Sequence, residues 1–332
     1  MRVTYEQMFQ EFNRVLLKNG FSMEKAQVCA RIFTENSRDG VYSHGLNSFP
    51  SFIQSLQKGT IDISSQPVKV EAFGAMERWD AKYGPGMINA TFAMNRAVEL
   101  AKENGIGCVA LKNSNHWMRG ATYGWQAADS GCVGLCWTTA LPAIPPWGGK
   151  EAKLGNNPIV FSIPREGGHV VLDIAISQFS YGKMRTYQLN NEMLPMNGGY
   201  DTEGNLTNDP GKILESRLAL PIGYWKGAGL ALVIDLISMV LSGGRCVSEL
   251  GKQETEHGIS QVFTAFDLSR LPGHSEMSER INQVLDDFHD TELLDGFDRV
   301  RYPGEGTSHM RKENMEKGIP VVESIWNQVL AL

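Results

Sequence analysis

Two histidines stand where the chain would present them to a ligand. His44 lies in Ser43-His44-Gly45, between two helix-like segments, and His116 lies in Asn113-Ser114-Asn115-His116-Trp117, just beyond an apolar run ending at Leu111. Imidazole changes charge near pH 7, so a loop histidine facing a cleft can pass a proton to a developing alkoxide. Ligands favour the ends of strands in α/β sheets, which is the position His116 would hold. Taken alone, Ser43-His44-Gly45 fits a surface or helix-capping role even better, and His116 divides evenly between the two.

Two glycine-containing loops have the composition of anion contacts. Gly155-Asn156-Asn157-Pro158 opens a strand, and Gly223-Tyr224-Trp225-Lys226-Gly227 enters a long apolar helix, where the helix N-terminus and Lys226 favour negative charge. Turns whose glycines serve chain geometry alone account for both stretches slightly better. The remaining histidines, His169, His257, His274, His289 and His309, have no partner spacing and read as solvent-exposed.

Several common chemistries are absent from the pattern. No G-x-G-x-x-G lies at a strand-to-helix turn, so a Rossmann dinucleotide site is not expected. The phosphate-binding G-x-x-x-x-G-K-[ST], the zinc-protease H-E-x-x-H and the hydrolase G-x-S-x-G are also missing. Cys132 and Cys136 have no second pair or histidine cluster to complete a zinc site, so no metal is expected.

The elements that must hold these residues follow from periodicity. Thr4 and Gln7 form a capping box ahead of Met8, Phe12, Val15 and Leu16, and Ser22 caps a second helix stopping near Asp39-Gly40. A third helix carries Phe49, Phe52, Ile53 and Leu56 and ends at Lys58-Gly59. Strands are expected at 68–73, 108–111, 133–137, 159–163, 170–174 and 262–266, and helices at 87–103, 121–130, 227–241, 276–288 and 321–330. Residues 196–212 read as a surface loop. The reading is an α/β fold with a helical N-terminal segment and a mixed sheet.

With 332 residues the chain can bury a large core as two lobes, 1–119 plus 276–332 and 120–275. Its 31 Lys and Arg against 37 Asp and Glu give a net charge of -6, which argues against nucleic acid or anionic membrane as a partner. Five cysteines at scattered spacing read as free thiols, and the N-terminus has no apolar signal-peptide region. The apolar run 229–241 contains Asp235, is shorter than a bilayer span, and reads as a core helix. A cytoplasmic enzyme is the expectation.

Taken in order, these segments resemble one family. Ser43-His44-Gly45, Asn113 to His116, Gly155-x-Asn157-Pro158, Asp173 to Ser177, Gly182-Lys183, Lys226-Gly227-x-Gly229-Leu230 and Pro303-Gly304-Glu305 are similar to the malate/L-lactate dehydrogenase family, over essentially the whole chain. Val41 to Gly45, His116 to Gly120, Tyr123 to Ala128, Pro145 to Gly148 and Gly223 to Gly227 resemble the branch that reduces diketo sugar acids. The resemblance implies an L-sulfolactate dehydrogenase-like fold with a non-Rossmann cofactor lobe at 120–275, and a homodimer with its sites near the subunit interface. It implies an enzyme using NADH, or NADPH, to reduce a small 2-oxo acid, with His44 as proton donor and His116 as acid/base candidate. Cofactor contacts would come from His169, Val170, Val171, Leu172, Asp173, Ile174 and Ala175, from Trp225 and Lys226, and from Gly304, Glu305 and Gly306.

The chain departs from that pattern at one place. The family carries an arginine four residues after the motif histidine, and the diketo-acid branch a second one three residues later. Here these positions are Ser48 and Ser51. Serine cannot reproduce the paired hydrogen bonds of a guanidinium to a carboxylate. Ser43, Ser48 and Arg119 are the substrate-contact candidates, Arg119 as the remaining cation. Alternatives are oxidation of malate, lactate or ureidoglycolate, reduction of a cyclic imine, or a silent homologue that binds a ligand without turnover.

Overall fold

The computed structural model describes residues 1–332, apart from the side chains of His274 and Ser275, so the reading of His274 as exposed lies outside the described residues. Strand β1 (Arg2–Val3) leads into α1 (Tyr5–Lys18), α2 (Met23–Arg38) and α3 (Phe49–Gln57). Both bonds of the Thr4–Gln7 capping box form, and Ser22 accepts from Lys25 N–H to start α2. Phe12, Phe33 and Phe49 pack ring against ring, with 4.2 Å between the centroids of Phe12 and Phe49. The last helix, α12 (Glu323–Ala331), adds Trp326 and Val329 to the same core, and β14 (Ile319–Pro320) pairs with β1. Both chain ends therefore build one helical lobe.

The central sheet has seven strands: β2 (Val68–Phe73), β3 (Met76–Asp80), β4 (Ile106–Ser114), β13 (Ile259–Asp267), β5 (Cys132–Thr138), β8 (Ile159–Ile163) and β9 (Val170–Ile174), in that spatial order. Only β3 and β4 run parallel, which rules out a Rossmann sheet. The sheet draws strands from both lobes expected from the sequence. Alternate residues of β5 point to opposite faces. Cys132 and Cys136 pack beneath α4 (Gly86–Asn104) and α5 (Ala121–Asp129), while Leu135 and Trp137 face α8 (Trp225–Ser242).

Between the long elements lie a hairpin, β6 (Pro142–Ile144) with β7 (Leu154–Gly155), then α6 (Tyr181–Leu189) and a small three-stranded sheet of β10 (Gly199–Tyr200), β11 (Leu206–Thr207) and β12 (Leu218–Ala219). The expected loop at 196–212 is thus partly ordered, and α7 (Pro210–Ser216) begins inside it. Asp209 caps α7 by accepting from the N–H groups of Gly211 and Lys212, so a composition rich in Gly, Asn and Asp marks turns within structure here. Helices α9 (Val247–Leu250), α10 (His274–His289) and α11 (Glu305–Lys317) complete the chain.

The reading of 229–241 as a core helix holds for one face of α8 only. Ala231, Ile234, Asp235 and Ser238 are buried, and Asp235 accepts from Val247 N–H. On the opposite face Val233, Leu236, Ile237 and Val240 are 42–61% exposed. A helix apolar all round needs cover on both sides, and the sheet supplies one.

Candidate active site

His44 is held in a turn between α2 and α3. Val41 N–H bonds the carbonyl of Asn36, Asn36 Nδ2 donates to the carbonyl of His44, and Leu46 N–H donates to Ser37 Oγ. A Cβ at Gly45 would run into Ser37, so glycine lets this turn lie against α2. His116 is held from the other side by the connection from β4 to α5. Asn115 Nδ2 reaches the carbonyls of Tyr83 and Gly84, and Gln261 Nε2 donates to the carbonyl of Asn115. Tyr123 Oη donates to the carbonyl of Trp117. Asn113 and Met118 have left-handed backbones (φ 55° and 66°), strain that this bonding overrides.

The two supports bring the imidazoles together. Their ring centroids are 5.7 Å apart and the planes lie within 6° of parallel. Met118 N–H donates to His116 Nδ1 at 3.1 Å, so the neutral ring carries its proton on Nε2. Ser43 Oγ lies 3.2 Å from His44 Nδ1, and a hydroxyl serves either tautomer. Burial depresses His44 to about 4, with His116 and Arg119 adding to it and Asp173 opposing. Burial alone depresses His116 to about 4. Although deep in the molecule, His116 is bare toward the adjoining cavity.

Two cavities meet at this pair. The larger, about 1480 Å³, is walled by Val171, Leu172, Asp173 and Ala175, by Pro303 and Gly304, and by Arg185, Arg217 and Arg301. The smaller, about 300 Å³, lies between His44, His116, Ser48, Ser51, Thr60 and Glu256. Asp173 accepts from Ala121 N–H at the start of α5, and burial raises its carboxyl above the usual range despite that bond and the nearby Arg119 and His44.

The sequence-derived candidates separate into two groups. His44, His116, Ser43, Ser48, Arg119, Val171, Leu172, Asp173, Ala175 and Gly304 line one or both cavities. His169, Val170, Ile174, Trp225, Lys226, Glu305 and Gly306 are not on those walls. His169 Nε2 lies 2.9 Å from Asp129, so it is not the unpartnered exposed histidine its sequence suggests. Trp225 is exposed at the start of α8. In the Gly155–Pro158 turn, Asn156 and Pro158 face the larger cavity, but Asn157 spends its amide within the fold, donating to Ala231 and accepting from Ala140.

Arg119 is already engaged. Its Nη1 bonds Asp39 at 2.8 Å, and Nη2 reaches Thr307 Oγ1 at 3.4 Å. Asp39 also accepts from Arg38 and from two nitrogens of Arg311. Burial works to raise the Asp39 carboxyl, but the bonds from Arg311 and the charges of Arg119 and Arg38 leave it below the ordinary carboxylate value. Neither Asp39 nor Glu256 carries a sequence motif, because Arg119, Arg311 and Leu141 reach them from 80 to 272 residues away.

Comparison with known proteins gives this geometry a family. The malate/L-lactate dehydrogenase model matches residues 3–330. The chain belongs to the malate/L-lactate dehydrogenase family. It is 43% identical to the 2,3-diketo-L-gulonate reductase of Citrobacter koseri, over 100% of both chains. The sulfolactate dehydrogenase of Methanocaldococcus jannaschii superposes with a TM-score of 0.90 at 28% identity, over 99% of this chain and 95% of that one. The malate dehydrogenase of Entamoeba histolytica shares the fold with a TM-score of 0.95 at 23% identity, over 100% of this chain and 96% of that one. This family member is an oxidoreductase of the CH–OH/C=O type, in a family that uses nicotinamide cofactors, with the mixed-sheet, sulfolactate dehydrogenase-like fold.

Proposed function

We propose that this chain reduces the 2-oxo group of a small carboxylic acid, with NADH as donor and NADPH also accommodated. The observation that carries the reading is the His44–His116 pair at the junction of the two cavities. The 2,3-diketo-L-gulonate reductase relatives support a 2-oxo acid as substrate class.

The larger cavity fits a dinucleotide. At about 1480 Å³ it exceeds the ~300–1,000 Å³ typical of small-ligand sites, and Arg185, Arg217 and Arg301 on its wall suit a pyrophosphate. We assign the cofactor there, with contacts from the segments 169–175 and 304–306 within or beside the 120–275 lobe. Trp225 and Lys226 stand outside that wall and would take part from the start of α8. When bound, the cofactor supplies the hydride.

The histidines divide the remaining work. His116 cannot take a second proton without breaking the bond from Met118 N–H, because Nδ1 would then oppose another donor. We assign it to hold the substrate oxygen through Nε2–H as negative charge develops, as a fixed donor does in an oxyanion site. His44, whose Nδ1 faces a hydroxyl, is free to exchange protons and delivers one to that oxygen. Asp173 opposes the depression of His44 and stands ready to favour its charged form. Arg119, oriented by Asp39, keeps further N–H groups for the substrate carboxylate.

The bare face of α8 supports the homodimer that the resemblance implies, since a second copy would cover it. Five free thiols support a reducing, cytoplasmic setting.

The test is NADH and NADPH oxidation, assayed separately, against a panel of 2-oxo acids that includes 2,3-diketo-L-gulonate. Turnover of at least one acid is expected. Tight cofactor binding with no turnover of any 2-oxo acid overturns the reading and leaves a ligand-binding homologue.

A further inference from the structure

The smaller cavity beside the histidines has an uneven chemistry. Its polar wall is made by Ser43, Ser48, Ser51, Ser55 and Thr60 on one side and Glu256 on another, and no lysine or arginine lines it. His116 supplies no cation either, since its Nδ1 already accepts from Met118 N–H, and burial holds His44 well below the ordinary imidazole value. Glu256 stands in the connection from α9 to β13 and lines both cavities. One of its oxygens, Oε2, is fixed by Leu141 N–H at 3.1 Å. Among the described residues no cation pairs with it, and burial raises its carboxyl above the ordinary value, with only the Leu141 bond opposing.

We propose that Glu256 is the specificity-determining residue for the far end of the substrate, admitting a neutral hydroxylated tail into the smaller cavity and excluding a second carboxylate. The proposal rests on the 2-oxo acid reading above. A hydroxyl suits Glu256 in either protonation state, because it donates to a carboxylate and accepts from a carboxylic acid. The serine hydroxyls opposite can satisfy further hydroxyls along the chain. A carboxylate tail would instead lose its water beside an acidic group, with no cation to meet it. Serine at 48 and 51 is what leaves the smaller cavity without a lysine or arginine.

The test compares two five-carbon acids that differ only at the tail, 5-hydroxy-2-oxopentanoate and 2-oxoglutarate, with 2-oxobutanoate as a control lacking a polar tail. The wild type is expected to favour the hydroxyl acid by roughly ten- to a hundred-fold in kcat/KM. Glu256→Gln should bring that ratio close to unity, chiefly through KM for 2-oxoglutarate, and Glu256→Lys should invert it. Ser48→Arg, a change on the opposite wall, should shift the ratio in the same direction even if the Glu256 variants fail to fold. The proposal is overturned if the wild type shows no preference. It is also overturned if the ratio stays within two-fold of wild type in every folded variant while 2-oxobutanoate is reduced. Failure to reduce 2-oxobutanoate or any other 2-oxo acid overturns the underlying functional reading instead.

Discussion

His44 and His116 stack with ring centroids 5.7 Å apart and planes 6° from parallel, yet their Nδ1 atoms face different partners. His116 Nδ1 accepts from a backbone amide, which is always a donor, while His44 Nδ1 meets the hydroxyl of Ser43, which can be either. Two rings so close disfavour a shared positive charge. The backbone bond decides which of them stays neutral.

Substitution should expose this division. His44→Gln removes the proton donor and is expected to lower kcat by about 10²–10⁴-fold. His116→Gln keeps an N–H donor on a side chain of similar reach and should lose only about ten-fold, whereas His116→Ala should lose about 10²–10³-fold. Steady-state NADH oxidation with the best 2-oxo acid checks both. Equal losses in His44→Gln and His116→Gln would remove the assignment.

The depressed histidine sets the pH dependence. Reduction needs His44 protonated, and its value in the free protein is about 4, so most molecules lack that proton at pH 7. Log kcat/KM for reduction should therefore fall with a slope near −1 as pH rises above about 5, while oxidation, which needs the neutral ring, should stay nearly flat there. Burial is the largest cause of the depression and His116 the next, so His116→Gln should move the bend only part of the way toward the unperturbed ~6.5. A reduction profile flat from pH 5 to 8 would contradict His44 as donor.

Stability should carry the same sign. A histidine at about 4 when folded and ~6.5 when unfolded lets the unfolded chain bind more protons between those values. That contribution is fully present above pH 6.5 and is lost as pH falls toward 4. The double variant His44→Gln/His116→Gln should lose less stability than wild type between pH 6.5 and 4, as read by urea unfolding at each pH. Because the comparison is a difference, a raised carboxyl with no charge coupling to either histidine, such as Glu256, cancels from it, whereas Asp173, coupled to His44, should rise further in the variant and add to the difference.

The fold was legible where local chemistry dictates it. The Thr4–Gln7 box, the helix run from Met87 to Glu103 and the short apolar run of β5 rest on contacts within a few residues or on a local pattern. The two-residue strands and α6 escaped because they are held by tertiary bonds, and α6 has no strong apolar face. His44 and His116 were visible as loop histidines, and their roles came from family resemblance. Their mutual stacking was not visible, since it depends on α2 and β4 meeting across 72 residues. Asp39 and Glu256 gave no local signal because Arg311, Arg119 and Leu141 reach them only in the folded chain.

Asp39 should prove essential for more than one reason. It holds Arg38, Arg119 and Arg311 together while nearly buried, so Asp39→Asn leaves three guanidinium groups short of a counter-charge. Breaking a buried pair this way costs about 3–5 kcal/mol, which urea unfolding would report. In the folded fraction Arg119 loses its orientation, and KM for 2-oxo acids should rise more than kcat falls. Arg119→Ala should raise KM likewise. Unchanged KM in both variants would mean that the substrate carboxylate is held by another group on the cavity wall.

The outer face of α8 gives the last prediction. Among the described residues this is the helix long and apolar enough to cross a membrane by length and composition, yet Ala231, Ile234 and Ser238 on its inner side pack against the sheet. A packed inner side leaves Val233, Leu236, Ile237 and Val240 as a contiguous apolar stripe, with Val240 61% exposed. Fully burying such a side chain from full exposure is worth about 1.5–3 kcal/mol, and these four are already about half covered, so a second copy covering the rest would gain about half that from each. The wild type should therefore run as a dimer in sedimentation equilibrium. Ile237→Glu/Val240→Glu places two like charges where the copies would meet and should raise the dimer dissociation constant by at least a hundred-fold. These positions face away from the sheet, so the variant monomer should keep its secondary structure by circular dichroism. A wild type that sediments as a monomer, or a double variant that remains fully dimeric, would show that α8 is not the surface that joins two copies.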